Sequence, residues 1–275
     1  MSQAKKCLVV GLQDTGKSSY MAAFWVIERA GTSGHQLTFN KRPDNTQYLD
    51  SIGNNWLEQE PVNRSSNLQM ELEFSLKHRD TGSIIELAIP DFKGERYKLI
   101  LQNEEPSEIE KWLKECDRIL FFLPTENEKK FNEELGVEPR ENSERKPTPT
   151  FNVDEIEPWI QNVELLKYIR EKKGDIKIAF CISKWDLMMV KNMTVQKWIE
   201  KGHLFFYTYV KHHFSNVKYF GISAQGLNYE QRGELTEDVV SELTDAGKRA
   251  YISSGTDKDY DITKPLAWLL EDKRL

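Results

Sequence analysis

The chain has 275 residues, 39% of them hydrophobic and 30% charged, and carries a formal net charge of -6. That length suits one large domain or two small ones, and the acidic balance excludes a mainly electrostatic nucleic-acid binder, which would carry a basic excess. The run ahead of Gly11 is too short for a signal-peptide core, no stretch nears the ~20 apolar residues of a membrane span, and the ends carry no lipidation box. The expectation is therefore a cytoplasmic protein with no membrane span and no nucleic-acid partner. Cys7, Cys116 and Cys181 lack metal-ligand spacing and read as small core hydrophobes in a reducing compartment.

The first strand is read at 6–10 (KCLVV), and the residues after it are the most informative in the chain. Gly11-Leu12-Gln13-Asp14-Thr15-Gly16-Lys17-Ser18 fits the phosphate-loop pattern without a mismatch, between an apolar strand and a helical stretch at 17–30. The glycines let the backbone wrap closely enough to aim N–H groups at phosphate oxygens, and the helix start adds the positive end of its dipole. Lys17 supplies a point charge for the β- and γ-phosphates, and the Ser18 hydroxyl is the candidate Mg²⁺ ligand. Gly11, Gln13, Asp14, Thr15, Gly16, Lys17, Ser18 and Ser19 are thus the candidate phosphate contacts. Asp14 is tolerable beside phosphates only if it turns outward or engages Lys17 or the metal.

Residues 31–66 are polar and break the pattern, with a helix at 44–58 the only regular element suggested there. The next strand, 68–77, alternates, so Leu68, Met70, Leu72, Phe74 and Leu76 share one face. "HRDTGS" then turns the chain into strand 83–89, predicting an antiparallel hairpin. That strand runs into Asp91-Phe92-Lys93-Gly94-Glu95, where Asp91 can reach a metal's coordination shell through water and the Gly94 N–H can meet a γ-phosphate. A helix at 106–116 and a continuously apolar strand at 118–123 follow. Residues 124–152 are charged, proline-containing and poor in large apolar side chains, a composition that predicts a mobile insertion.

Beyond the insertion, a helix at 154–173 leads to strand 176–182 and to Ser183-Lys184-Trp185-Asp186. Guanine presents N1–H and a 2-amino group, and a carboxylate accepts from both, whereas adenine has no such donor pair. Asp186 is the candidate guanine reader, Lys184 packs its stem over the base, and Trp185 forms a wall of the site. A helix at 194–213 and strand 217–222 bring Ser223-Ala224, whose Ala224 N–H can meet the guanine O6. Helices at 235–251 and 262–271 close the chain, the last with Asp261 as its cap. His203, His212 and His213 read as part of a packed aromatic helix rather than a metal site, since no fourth ligand stands at matching spacing.

Strands alternating with helices predict an α/β fold: about six mostly parallel strands with one antiparallel edge hairpin and helices on both faces, as a single domain over 1–275. Four loops follow four strands in the order phosphate, metal, base, base, and ligands in such sheets gather at the carboxyl ends of the strands.

Taken together, "GLQDTGKS … DFKG … SKWD … SA" resembles the Ras-like, translation-factor-related class of P-loop GTPases. Within it, the ending "DITKPLAWLL" and the long polar insertion are similar to bacterial double-GTPase (DO-GTPase) proteins. The resemblance implies a Ras-like fold, GTP/GDP with Mg²⁺, and a nucleotide-dependent switch acting on an effector or activating protein in bacterial conflict or regulatory systems. It also implies a switch threonine completing the Mg²⁺ shell, for which Thr38, Thr46 and Thr32 are candidates, Thr38 first. Where such proteins commonly carry a water-orienting Gln, this chain has Glu95, which accepts from water but adds negative charge beside the γ-phosphate. Slow intrinsic turnover is the corresponding expectation. Ser183 stands where an Asn or Thr is usual, so part of the bracing to the phosphate loop should be lost. The rival readings are a GTP-gated interaction module with little hydrolysis and a P-loop ATPase or kinase.

Overall fold

The computed structural model describes residues 4–31, 34–60, 72–89, 100–102, 107–125, 156–188, 193–226 and 246–272. Eight strands, β1 (Lys5–Gly11), β2 (Leu37–Lys41), β3 (Leu72–His78), β4 (Ile84–Ile89), β5 (Arg118–Leu123), β6 (Lys177–Ile182), β7 (Val217–Ser223) and β8 (Tyr251–Ser253), form one sheet in the order β2-β3-β4-β1-β5-β6-β7-β8. The five central strands, β4-β1-β5-β6-β7, are parallel. The β3–β4 hairpin is antiparallel as expected. The sheet has two strands more than the six anticipated: β2 pairs antiparallel outside the hairpin, and β8 pairs antiparallel with β7 at the far edge.

Strand alternation explains the continuous apolar runs. In β1, Cys7 and Val9 face one core layer while Leu8 and Val10 face the other. β5 does the same, with Leu120 and Phe122 on one side and Ile119, Phe121 and Leu123 on the other. A strand covered on both faces cannot spare a polar position. The three cysteines are free and buried within these layers, which pushes their thiols up.

The first layer is covered by α1 (Lys17–Ala30), α2 (Gln47–Leu57) and α8 (Lys264–Leu270), the second by α3 (Ser107–Glu115), α4 (Pro158–Lys173), α5 (Val195–Gly202) and α6 (Leu204–His213). A four-residue α7 (Ala246–Arg249) precedes β8. α1 is buried through most of its length because the sheet lies on one side and α2 on the other. Its end is locked by Glu28, whose buried carboxylate is hydrogen-bonded to the buried His35 Nδ1, while His35 Nε2 meets the Tyr260 carbonyl at 3.0 Å. α4 starts where local chemistry says it should: Glu157 accepts from the Ile160 N–H, Pro158 sits in the first turn, and Gly174 ends it.

Several local expectations are corrected. The helix expected over 194–213 is two helices, broken at His203, whose φ of -135° is not helical. Asp261 does not cap α8; Thr263 occupies the N-cap, and Asp261 accepts from the Thr263 N–H and hydroxyl and from the Gln36 N–H. Within the polar 31–66 stretch, residues 34–60 supply both β2 and α2, and Leu49, Ile52 and Trp56 of α2 enter the core. Most of the 124–152 insertion, and residues 235–245 of the expected 235–251 helix, lie outside the described residues, and the end of that helix is corrected: it stops at Arg249, with Tyr251 in β8.

Candidate nucleotide site

From β1 the chain builds outward to β4 on one side and to β5 on the other, so the sheet's order reverses at the carboxyl end of β1. Such a reversal opens a crevice between the diverging connections, and residues 11–18 lie in it. Gly11 is packed so closely that a Cβ there would come within 2.9 Å of the Phe122 Cβ and carbonyl and 2.8 Å of Thr15 Oγ1. Thr15, itself buried, donates its hydroxyl to the Leu12 carbonyl at 2.8 Å and so pins the loop; its side chain is committed internally. Asp14 adopts a positive φ of 60°, which aspartate tolerates better than most residues, and its side chain is exposed.

α1 begins at Gly16 with φ 81°, and no side chain caps it. The first N–H groups of a helix have no intrahelical partner, so an uncapped start following a tight loop offers donors to an anion. Lys17 projects into the same place: its Nζ donates to the Gly11 and Leu12 carbonyls at 2.7 and 2.6 Å. The ammonium is thereby held over the loop mouth, where phosphate oxygens would compete with those carbonyls. Ser18 is exposed beside it and Ser19 half-exposed. An exposed hydroxyl at the first turn suits a hard cation that takes most of its ligands from phosphates and water. Among the described residues, no group of three or more His, Cys, Asp or Glu forms a protein-only metal cage.

The residues expected to read the base follow the ends of β6 and β7. Ser183 is buried directly against Gly16; a Cβ on Gly16 would lie 2.6 Å from the Ser183 Cβ. The two loops therefore meet in van der Waals contact at Gly16 and Ser183, which leaves no room for a side chain on Gly16. Lys184 is exposed and adopts φ 54°, and the strand gives way to a single 3-10 turn, Trp185–Met188. Trp185 packs onto Gly221 and meets Trp198 edge-on at 5.8 Å. Burial pushes the Asp186 carboxyl above the ordinary aspartate range, while the Ser223 hydroxyl and the charges of Lys258 and Lys184 pull it back.

Ser223 is fully buried, and its Oγ accepts from the Gly226 N–H at 3.1 Å. The following loop is clamped from two elements outside the expected motifs. Trp56 of α2 donates its Nε1–H to the Ala224 carbonyl at 2.6 Å, and Arg249 donates to the Gln225 carbonyl and side chain while lying 4.0 Å over the Trp56 ring. No motif signals either residue, because the contact depends on where α2 crosses the sheet.

Two of the threonine candidates, Thr38 and Thr46, are not brought to the phosphate loop. β2 runs in the same direction as β1, and Thr38 pairs with Lys77, which pairs with Ile84, one residue before the partner of Lys5. At about 3.3 Å per residue, that is roughly 20 Å along the sheet from Gly11, at the opposite end. Thr46 donates to Asp50, which in turn binds Trp25 and Arg29, eight and twelve residues along α1 from Lys17 and so about 12 and 18 Å from it. Thr32, Asp91, Gly94 and Glu95 lie outside the described residues.

Residues 8–269 match the family model for Double-GTPase 1, and the chain belongs to that family of GTP-binding proteins. No curated protein matches the chain individually. Among the described residues, no helix is long and apolar enough to cross a membrane.

Proposed function

We propose that this Double-GTPase 1 chain binds GTP with Mg²⁺, hydrolyses it slowly to GDP and phosphate, and uses the two nucleotide states to switch a partner protein. The observation that carries the reading is the contact between Gly16 and Ser183. It joins an uncapped, lysine-bearing phosphate loop to the loop that carries Asp186, so one nucleotide spans both. In this reading the backbone N–H groups at the start of α1 and Lys17 hold the phosphates, and Asp186 accepts from the guanine N1–H and 2-amino group. Ser183 keeps the two loops in register. Mg²⁺, held by the Ser18 hydroxyl together with phosphate oxygens, would neutralise charge on the β- and γ-phosphates. Glu95 in place of a water-orienting glutamine supports slow turnover.

The test is a nucleotide-affinity ranking followed by a single-turnover assay. GDP and GTP should bind far more tightly than ADP and ATP, and Asp186→Asn should shift preference toward xanthine nucleotides. Equal affinity for ATP and GTP in the unmutated chain would refute the guanine reading. Absence of phosphate release over hours, with and without cell extract, would refute hydrolysis.

A further inference from the structure

Two buried side chains outside the phosphate and base loops fix the turn that follows β7. Trp56 of α2 donates its Nε1–H to the Ala224 carbonyl at 2.6 Å. Arg249, the last residue of α7, lies with its guanidinium 4.0 Å over the Trp56 ring. Its Nε donates to the Gln225 carbonyl and a terminal nitrogen to the Gln225 side-chain oxygen, both at 3.1 Å. The Gly226 N–H closes the turn onto Ser223 Oγ at 3.1 Å. Both clamping residues stand on anchored elements. α2 packs Gly53 against Trp25 and Val26 of α1 and ties Asp50 to Trp25 and Arg29. β8 follows directly after Arg249 and is set in register by the Tyr251–Ser223 pair.

Strand geometry fixes the direction of the remaining donor in this turn. Ile252 exchanges both backbone hydrogen bonds with Asp259, at 2.7 and 2.8 Å, and so faces away from β7. Bonding alternates along an antiparallel strand, so Tyr251 and Ser253 face β7 and the Ser223 carbonyl is directed at β8. Among the described residues no peptide bond is cis. A trans peptide sets its N–H opposite its carbonyl, which aims the Ala224 N–H toward β6. The loop that carries Asp186 follows β6 and packs Trp185 onto Gly221 of β7. Among the described residues no hydrogen bond takes up the Ala224 N–H. The clamp thus occupies the carbonyls of the turn and leaves this donor turned to the base side.

We propose that Trp56 and Arg249 are positioning residues for reading the 6-oxo group of the purine. Holding the Ala224 and Gln225 carbonyls from behind, they keep the turn from rotating and present the Ala224 N–H to O6. The role rests on the guanine-site reading given above and deepens it. Asp186 reads N1–H and the 2-amino group from the β6 loop, and the clamped turn reads O6 from the β7 loop. Adenine carries an amino group at that position, so donor would meet donor. The clamp therefore opposes adenine as well as favouring guanine.

The test sets one ligand atom against one protein donor. In 6-thio-GDP a weakly accepting sulfur replaces O6, while N1–H and the 2-amino group remain. Calorimetry on the full-length chain should show GDP bound about fivefold more tightly than 6-thio-GDP. Trp56→Phe keeps a buried ring and loses the indole N–H. Its GDP Kd should rise about fivefold and its 6-thio-GDP Kd change less than about twofold, which abolishes the preference. Should that variant melt below the assay temperature, Arg249→Lys carries the same test, since it keeps the charge and loses the two-pronged grip on Gln225; the preference should narrow to about twofold or less. An equal loss on both ligands marks the two residues as packing only and overturns the proposal, as does a preference that survives both substitutions. A parent chain that prefers GDP to ADP but binds 6-thio-GDP as well as GDP overturns the reading of O6 alone. A parent chain that does not prefer GDP to ADP overturns the guanine site itself.

Discussion

Gly16→Ala tests the joint between the phosphate loop and the base loop. Gly16 has φ 81°, and an added Cβ would lie 2.6 Å from the Ser183 Cβ and 3.1 Å from its Oγ. Left-handed backbone costs a non-glycine residue about 1–2 kcal/mol. Relieving the clash means parting the loops by about an ångström, and overpacking of that kind costs about 1–3 kcal/mol. The total of roughly 2–5 kcal/mol should lower the melting temperature by about 4–20 °C in a chain of this size. Nucleotide affinity should fall as well, because the two loops that grip phosphate and base are the ones forced apart. Differential scanning fluorimetry and a fluorescent-GDP titration read both effects. Adding Ser183→Gly removes the opposing Cβ and should recover the steric share, leaving only the backbone share. If Gly16→Ala binds GDP within about twofold of the parent, or if Ser183→Gly restores nothing, the two loops are not coupled through this contact.

Lys17→Ala removes the ammonium held over the loop mouth and should weaken GDP and GTP binding by about a hundredfold or more, since an interaction with a charged group is worth about 1.5–3 kcal/mol and the lysine meets two phosphates; unchanged affinity by calorimetry would remove the phosphate loop from the site. The two buried histidines should give opposite pH responses. His203 is stacked 3.6 Å from Trp159 with both ring nitrogens lacking a hydrogen-bond partner, and burial lowers it to about 4. The unfolded chain therefore takes up a proton there that the fold refuses, and stability falls as pH drops from about 6.5 toward 4; His203→Phe should flatten that acid limb of a melting curve series. For His35, burial opposes the charge, but the Glu28 hydrogen bond and charge outweigh it and raise the pKa above 6.5. Its contribution is complete below about 6.5 and is lost as pH climbs through the raised value, so a His35→Gln variant that kept the parent's alkaline decline in melting temperature would refute the pairing's role.

Much of the architecture was legible because its causes are local or periodic. A strand buried on both faces must be apolar at every position, so β1, β5 and β6 stand out as uninterrupted runs. The phosphate loop is contiguous, and its glycines and lysine answer to one turn and one helix start. The strands that escaped notice are the two edges. β2 (LTFNK) has only one buried residue, Leu37, and β8 (YIS) has only three residues, so neither carries a periodic signal. A helix over 194–213 is what the residue pattern suggests, but the backbone leaves helical geometry at His203, whose ring stacks on Trp159. Thr38 and Thr46 were plausible metal ligands by residue type and order alone. Their placement depends on the direction and length of β2 and α2, which leave both away from the phosphate loop.

The amino-acid sequence by itself determined the phosphate loop, the alternation of strands with helices and the order of the four loops, because each follows from neighbours along the chain. Only the tertiary structure decided that Ser183 rests on Gly16, that Trp56 and Arg249 clamp the Ala224 loop, and that Tyr251 stands opposite Ser223. Those contacts join residues up to 168 positions apart, and no local propensity reports them. They exist because β6 and β7, beyond β5, run parallel to β1 and so end on the same side of the sheet, and because α2 reaches the loop after β7 through Trp56.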